Sequence, residues 1–294
     1  MRLATILLVA LATLPTTAAQ RARYLMGTVC EVAIDGPDAE ERIERAFAEA
    51  KRVEEMLSTW TEDSELARVN RGAEPSAELR ALLERVVEFS RRTNGAFDPR
   101  MGELVAGNRP SPWPSPRGAG RGDWEEGAFG KGYAIDKMME RVECGDASRR
   151  FPTEDSGDLC RRTPHFIDFG GQLAVRGAMR VTIADPKDRA KPILELTLEN
   201  ASLSTSSHSE KSHIFDPRTR QLLPARGSVS VIAPDALTAD ILSTALYVMG
   251  EDEGLRWANA HRVAAIFITP ANHIRRSAHA PDVRVVDRNF ALKD

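Results

Sequence analysis

Segments with the hydrophobic period of a strand and segments with the period of a helix follow one another in irregular order along this chain. Residues 26–34, MGTVCEVAI, alternate, with Cys30, Val32 and Ile34 on one side, and predict a strand. Residues 38–57 carry apolar side chains at helical spacing and predict an amphipathic helix. The same reasoning predicts further strands at 165–171, 180–186, 193–199, 227–234 and 262–270. It predicts further helices at 76–94, with Gly95 just past the end, and at 133–142, 238–248 and 254–260. Because the two kinds of element are mixed without strict alternation, we expect an α+β fold with mixed, largely antiparallel sheets flanked by helices.

The amino terminus has the pattern of a secretory signal. One Arg is followed by an apolar run from Leu3 to Leu14 and by small residues before a cleavage point after Ala19. The apolar run is too short to span a membrane. We therefore predict a signal peptide at 1–19, a single domain at 20–294 with no stable membrane span, and export, which in a bacterial host means the periplasm.

Net charge bears on the kind of partner, and the cysteines bear on disulfide pairing. The formal net charge is −3 and the charged residues are dispersed, so a nucleic-acid partner is not expected. Of the three cysteines, Cys144 and Cys160 flank a polar segment and could pair, which would leave Cys30 as a small buried side chain on a strand. An unpaired set of cysteines is equally compatible with the sequence.

The Pro-, Gly- and Arg-rich stretch between Val105 and Trp124 predicts a loop or a lid.

The predicted helix TADILSTALYV carries polar residues among its apolar ones. Asp240 and Thr244 stand four residues apart, so they share one helix face and present a carboxylate beside a hydroxyl. Hard oxygen ligands of this kind suit Mg²⁺ or Ca²⁺. The alternative is structural: Asp240 caps the start of the helix, and Thr244 bonds back to a carbonyl one turn earlier.

Four glycine-containing or polar clusters interrupt the predicted elements. In residues 127–137, GAFGKGYAIDK, a glycine-rich turn delivers Lys131 to a helix start, where backbone amides and a lysine can hold a phosphate. His213 lies in a loop among hydroxyl and charged side chains that could orient it as a base. The pair Gly170-Gly171 and the dipeptide Asp98-Pro99 mark the other two. Taken singly, each of these stretches is also compatible with an ordinary turn.

Seven stretches taken in chain order resemble the ApbE-type family of FAD:protein FMN transferases. They are MGTVCEV, STWTEDSELARVN, GAFDPRMGELV, GAFGKGYAID, IDFGGQLAVRG, SHIFDPRT and DILSTAL. The resemblance implies an ApbE-like α+β fold and a Mg²⁺-dependent reaction that moves FMN from FAD onto a threonine hydroxyl of an acceptor flavoprotein, such as a redox-complex subunit, with release of AMP. Two alternatives use the same site: an FAD pyrophosphatase that yields FMN and AMP, and a non-catalytic flavin-binding homologue.

The resemblance also assigns residues. It makes the side chains of Asp240 and Thr244 and the carbonyl of Ala128 the ligands of Mg²⁺, and it makes His213 the candidate general base, with Lys131 as the second catalytic residue. The positions that it assigns to FAD binding are Met26, Trp60, Ala96, Phe97, Asp98, Glu125, Lys131, His213 and Ile214. Trp60 stands where the family usually has tyrosine, and Glu125 where it usually has aspartate.

Overall fold

The computed structural model of the protein describes residues 18–36, 38–102, 123–142, 165–207 and 214–293. Several predictions concern residues outside these ranges, and they stay predictions: the signal segment up to residue 17, most of the loop between Val105 and Trp124, the pairing of Cys144 with Cys160, and the role of His213.

Five α-helices lie within the described ranges. They are α1 (Ala39–Leu57), α2 (Glu65–Asn70), α3 (Ala77–Arg92), α4 (Gly130–Val142) and α5 (Ala236–Ala260). All five helical segments predicted from the sequence are confirmed, but the last two are merged into α5, which bends at Gly250 (φ 78°, ψ −178°). The short helix α2 was not predicted; Ser64, the residue before it, caps the helix, and its hydroxyl accepts the amide of Ala67 at 3.0 Å. None of the described helices has the length and apolar character needed to cross a membrane.

The described residues also form fourteen strands. These are β1 (Ala18–Leu25), β2 (Thr28–Asp35), β3 (His165–Phe169), β4 (Gln172–Arg176), β5 (Ala178–Ala184), β6 (Pro192–Glu199), β7 (Ser202–Ser207), β8 (Phe215–Asp216), β9 (Gln221–Leu222), β10 (Ser228–Ala233), β11 (Ala264–Ile268), β12 (His273–Arg276), β13 (Arg284–Val285) and β14 (Ala291–Leu292). Nine of them make one sheet in the order β1-β2-β3-β4-β7-β10-β11-β12-β14. In this sheet only β12 and β14 run parallel, which confirms the expected α+β fold with largely antiparallel sheets.

The large sheet lies between two layers. Successive residues of a strand face opposite sides, so Ile167 and Phe169 of β3 pack with the helices, while Phe166 packs with the small sheet β13-β6-β5. The inner strands are therefore covered on both faces. Cys30, fully buried on β2, belongs to the helix-side core, as the alternation of its strand predicted.

Strand β7 was missed by sequence analysis because five of its six residues are Ser or Thr. It is an inner strand, bonded to β4 on one side and β10 on the other. Leu203 enters the core beneath the small sheet, whereas Ser204 and Ser206 face α5 and reach the hydroxyl of Ser243 at 3.2 and 2.8 Å. Hydroxyl groups are tolerated here because they find partners on the helix.

Candidate active site

The start of α4 lies against the first turns of α5. A Cβ atom added to Gly132 would stand 2.6 Å from the carbonyl oxygen of Ala236 and 2.8 Å from the Cβ of Asp240. Only glycine permits so close an approach. The contact brings the glycine-rich turn and the Asp240 face of α5 together, as the proposed metal site requires.

Asp240 is a buried carboxylate held from two sides. Its side chain is 3% exposed; Oδ2 accepts the amide N–H of Gly132 at 3.0 Å, and Oδ1 accepts Nε2–H of Gln172 at 2.6 Å. Burial raises the pKa of this carboxyl, while the positive charge of Lys131 and the two hydrogen bonds oppose the increase. A buried carboxylate needs a positive partner, and a bound metal cation is one of the groups that can serve.

The structural interpretation of Asp240 and Thr244 predicted a helix cap at Asp240 and a bond from Thr244 to a carbonyl one turn earlier. The first of these two predictions is wrong. Asp235, and not Asp240, caps α5, because its side chain accepts the amide of Thr238 at 2.8 Å. The second is observed: the hydroxyl of Thr244 donates to the carbonyl oxygen of Asp240 at 3.3 Å. This bond uses the hydroxyl proton. Ser206 Oγ lies 3.4 Å from Thr244 Oγ1 and can occupy one lone pair, which leaves the other for a metal ion.

The carbonyl of Ala128 is not engaged by the helix that follows it. In a regular helix the amide of Gly132 would donate to this carbonyl, four residues earlier. Here that amide donates to Asp240, and α4 begins only at Gly130, after the 3₁₀ turn Glu126–Ala128. Among the described residues no backbone amide donates to the Ala128 oxygen.

These oxygens fit the chemistry of Mg²⁺. The set contains one carboxylate, one hydroxyl and one carbonyl, all of them hard donors. Within the described residues there is no group of three or more His, Cys, Asp or Glu side chains that could hold a metal ion. A cation bound at Asp240 would therefore complete its shell with water or phosphate oxygens, as Mg²⁺ commonly does.

Met26 occupies a strained turn beside the glycine-rich segment. Met26 (φ 44°) and Gly27 (φ 77°) form the two-residue connection between β1 and β2, and positive φ is uncommon for a residue with a side chain. The amide of Met26 donates to Glu54 Oε1 at 2.7 Å. A Cβ added to Gly130 would lie 3.3 Å from Met26 Cε, so the thioether reaches the start of α4.

Hydrogen bonds join three other segments assigned to FAD binding. The buried Glu125 donates its amide to the carbonyl of Pro99 at 2.8 Å, next to Asp98. The hydroxyl of Thr59 donates to Oε2 of Glu126, the residue after Glu125, at 2.8 Å. The neighbour of Thr59 is Trp60, a large aromatic residue that is 47% exposed.

The remaining assigned residues differ in accessibility. Ala96 and Phe97 are buried in the helix-side core, so neither presents surface to a ligand in this structure. Ile214 is half-buried and packs against the same core as Met26 and Ala128. His213 lies just before Ile214, outside the described residues.

Two residues that organise the site were not singled out from the sequence. Gln172 follows the paired glycines and binds Asp240. Asp136, the only acidic residue of the GAFGKGYAID segment, accepts the amides of Ala236 and Leu237 at 2.7 and 3.0 Å and so caps α5 from α4. Their positions next to glycine-rich segments were the available signal, but their partners are distant in sequence.

The cap formed by Asp136 predicts a pH effect on stability. Burial raises the pKa of Asp136 to about 6. The folded state therefore holds this proton more tightly than the unfolded chain, whose Asp residues titrate near 4, so the group lowers the free energy of unfolding as the pH rises from about 4 to about 6. This pKa difference of about two units corresponds to a loss of roughly 3 kcal/mol in the free energy of unfolding.

Urea unfolding between pH 4 and pH 7 tests this expectation. The Asp136→Asn variant should lose less stability over that interval than the unsubstituted protein, because its amide does not titrate. Asp168, whose pKa burial also raises to about 6, is present in both proteins and cancels in the comparison. Parallel stability curves would show that Asp136 is not the responsible group.

Comparisons of the sequence and of the structure with known proteins find the same family. The model of the ApbE family matches residues 26–118 and 159–267. An FAD:protein FMN transferase of Treponema pallidum is 28% identical over 93% of this chain and 91% of its own length, and one of Haemophilus influenzae is 24% identical over 78% and 79%. Among solved structures, the ApbE protein of Thermotoga maritima has a TM-score of 0.74 at 21% identity, covering 89% of this chain and 97% of its own. The flavin transferase ApbE of Vibrio cholerae has a TM-score of 0.69 at 18% identity, covering 90% and 98%.

The fold is of the α+β kind seen in those structures. Because the family model matches more than half of the 294 residues, the chain belongs to the ApbE family.

Proposed function

We propose that this protein is a Mg²⁺-dependent FAD:protein FMN transferase, which moves FMN from FAD onto a threonine hydroxyl of an acceptor protein and releases AMP. Its enzyme class, flavin transferase, is that of the relatives described above. The observation that carries the proposal is the position of Asp240, a buried carboxylate facing the glycine-rich turn that bears Lys131 and the open carbonyl of Ala128.

The chain's own residues account for the binding of a diphosphate. Asp240, Thr244 and Ala128 would hold the cation, which supplies positive charge to the phosphate oxygens during transfer. Lys131 stands at the start of α4, where its charge and the helix amino terminus both favour an anion. Charge that develops on the departing AMP would thus meet groups already in place, which is the efficient form of electrostatic catalysis.

The acceptor threonine needs a base, since its hydroxyl is a weak nucleophile at neutral pH. We assign this role to His213, on the resemblance to the family, and a positioned base contributes roughly 10²- to 10⁴-fold. The half-buried Ile214, the next residue in the chain after His213, and the exposed Trp60 would offer apolar surface to the flavin.

The function is tested by mass spectrometry of an acceptor protein. Purified protein is incubated with FAD, Mg²⁺ and a threonine-bearing acceptor, and we expect the acceptor to gain the mass of FMN. Omission of Mg²⁺ or replacement of the target threonine by alanine should abolish the adduct. Absence of metal-dependent transfer at saturating FAD would count against the proposal.

Measurement of AMP separates the transferase from the pyrophosphatase. A transferase releases AMP in proportion to acceptor, whereas a pyrophosphatase releases it equally without acceptor because water attacks instead. A protein that binds FAD and releases no AMP under either condition would be a non-catalytic homologue.

We also propose that the protein is exported, on the strength of the signal pattern at 1–19. The amino-terminal sequence of protein recovered from a bacterial periplasm should begin at Gln20. Recovery of the uncleaved chain in the cytoplasm would contradict this.

A further inference from the structure

We propose that Gln172 is a positioning residue for metal binding, whose side-chain amide holds the carboxylate of Asp240 in the orientation that receives the cation. This inference rests on the proposed function, because it assumes that Asp240 is a metal ligand.

The geometry places Gln172 opposite the glycine-rich turn. It is the first residue of β4, directly after Gly170-Gly171, and its buried side chain points to the helix layer. Gln172 binds Oδ1 of Asp240 from the sheet at 2.6 Å, and Gly132 binds Oδ2 from α4 at 3.0 Å. With one donor on each oxygen, the carboxylate cannot rotate without losing a bond, and further lone pairs stay available for a cation.

A neutral donor is required for this role. An arginine or lysine in place of Gln172 would also satisfy the carboxylate, but it would form an ion pair with it and compete with the metal. The amide of Gln172 stabilises the ionised carboxylate and leaves its charge in place. The orientation of the amide follows, since an ionised carboxylate accepts hydrogen bonds and repels the amide oxygen.

Packing alone does not explain a glutamine at this position. The side chain is 6% exposed, and its Oε1 has no hydrogen-bond partner among the described residues. Burial of an unpaired acceptor costs about 1–3 kcal/mol, so a leucine or methionine of similar size would fill the space more cheaply. The contribution of the residue therefore lies in the N–H that it gives to Asp240.

The test measures metal affinity without the flavin reaction. Mn²⁺ is titrated into the full mature chain freed of metal, the unbound ion is followed by electron paramagnetic resonance, and Mg²⁺ is added as a competitor. We expect Gln172→Leu to raise the Kd for both ions by roughly 10- to 100-fold.

The matched control is Ser230→Ala. Ser230 is buried, as Gln172 is, and lies on β10 of the same sheet. The Ser230→Ala variant loses one hydrogen bond to Thr205, and this bond does not involve Asp240. It should lower the Tm of the metal-free protein while leaving the Kd within about twofold of that of the unsubstituted chain. Gln172→Asn is the second variant, in case the leucine does not fold; it keeps the amide but withdraws the donor by one methylene, and its Kd should also rise.

The outcomes are distinct. If either foldable Gln172 variant binds Mn²⁺ and Mg²⁺ as the unsubstituted protein does, Gln172 has a structural role only and the inference is wrong. If the unsubstituted protein binds neither ion, the metal site of the proposed function fails as well.

Discussion

Asp240→Asn is expected to lower Mg²⁺-dependent FMN transfer by roughly 10²- to 10⁴-fold, because it removes the one charged ligand of the proposed site. The variant should fold. Gly132 can donate to the new Oδ1, and the amide of Gln172 can turn over so that its oxygen, which has no partner among the described residues, accepts the new N–H. Loss of a buried carboxylate also removes a desolvation penalty, so the Tm of the metal-free protein should be maintained or should rise.

Steady-state kinetics should show that Asp240→Asn lowers kcat much more than it weakens the affinity for FAD. The metal charge acts mostly on the transition state, so kcat falls and the affinity for FAD is only partly weakened. Asp252→Asn provides the matched control on the same helix, since Asp252 is exposed and pairs with Arg275 at 3.0 Å at the protein surface. Its kinetics should be unchanged. Retention of transfer within tenfold in Asp240→Asn, with the same metal dependence, would show that Asp240 is not the ligand.

Gly132→Ala is expected to damage both stability and metal binding. Helix propensity alone would favour alanine by about 1 kcal/mol. Steric contact decides otherwise, because the new methyl group would lie 2.6 Å from Ala236 O and 2.8 Å from Leu237 Cα. These are backbone atoms of α5, so α4 must move away. We expect a loss of roughly 2–4 kcal/mol in the free energy of unfolding, together with loss of the hydrogen bond to Asp240.

Urea unfolding and Mn²⁺ titration measure the two effects separately. Gly127→Ala is the comparison for stability, because a Cβ there would meet only the flexible carboxylate of Glu125, at 3.2 Å, and should change the free energy of unfolding by less than about 1 kcal/mol. Equal stability of the two variants would indicate that α4 and α5 are not in the close contact described above.

The successes and failures of prediction follow from the range of the interactions. Helices α1 and α3 were predicted to within a few residues because their apolar stripes have a clear period. Strand β7 was missed, since a serine-rich strand has no hydrophobic alternation and is stabilised by partners on β4, β10 and α5. Its place in the sheet depends on contacts that no local pattern records.

Some residues of the candidate site were likewise predicted from the sequence and others were not. The four-residue spacing of Asp240 and Thr244 put both side chains on one helix face, and the resemblance to the family related them to the 127–137 segment. Neither identified Gln172, which lies 68 residues before its partner Asp240, or Asp136, which caps a helix that begins 100 residues later in the chain.

The amino-acid sequence by itself determined the helices and strands that carry a clear hydrophobic period, the residue types offered to the site, and the family, because these depend on residue types within short stretches of the chain. Only the tertiary structure decided which end of α4 meets α5, which donors hold the carboxylate of Asp240, and that the Ala128 carbonyl is left open. The physical reason is that these features come from the packing of elements distant along the chain, where a missing methyl group or a single amide decides what can approach.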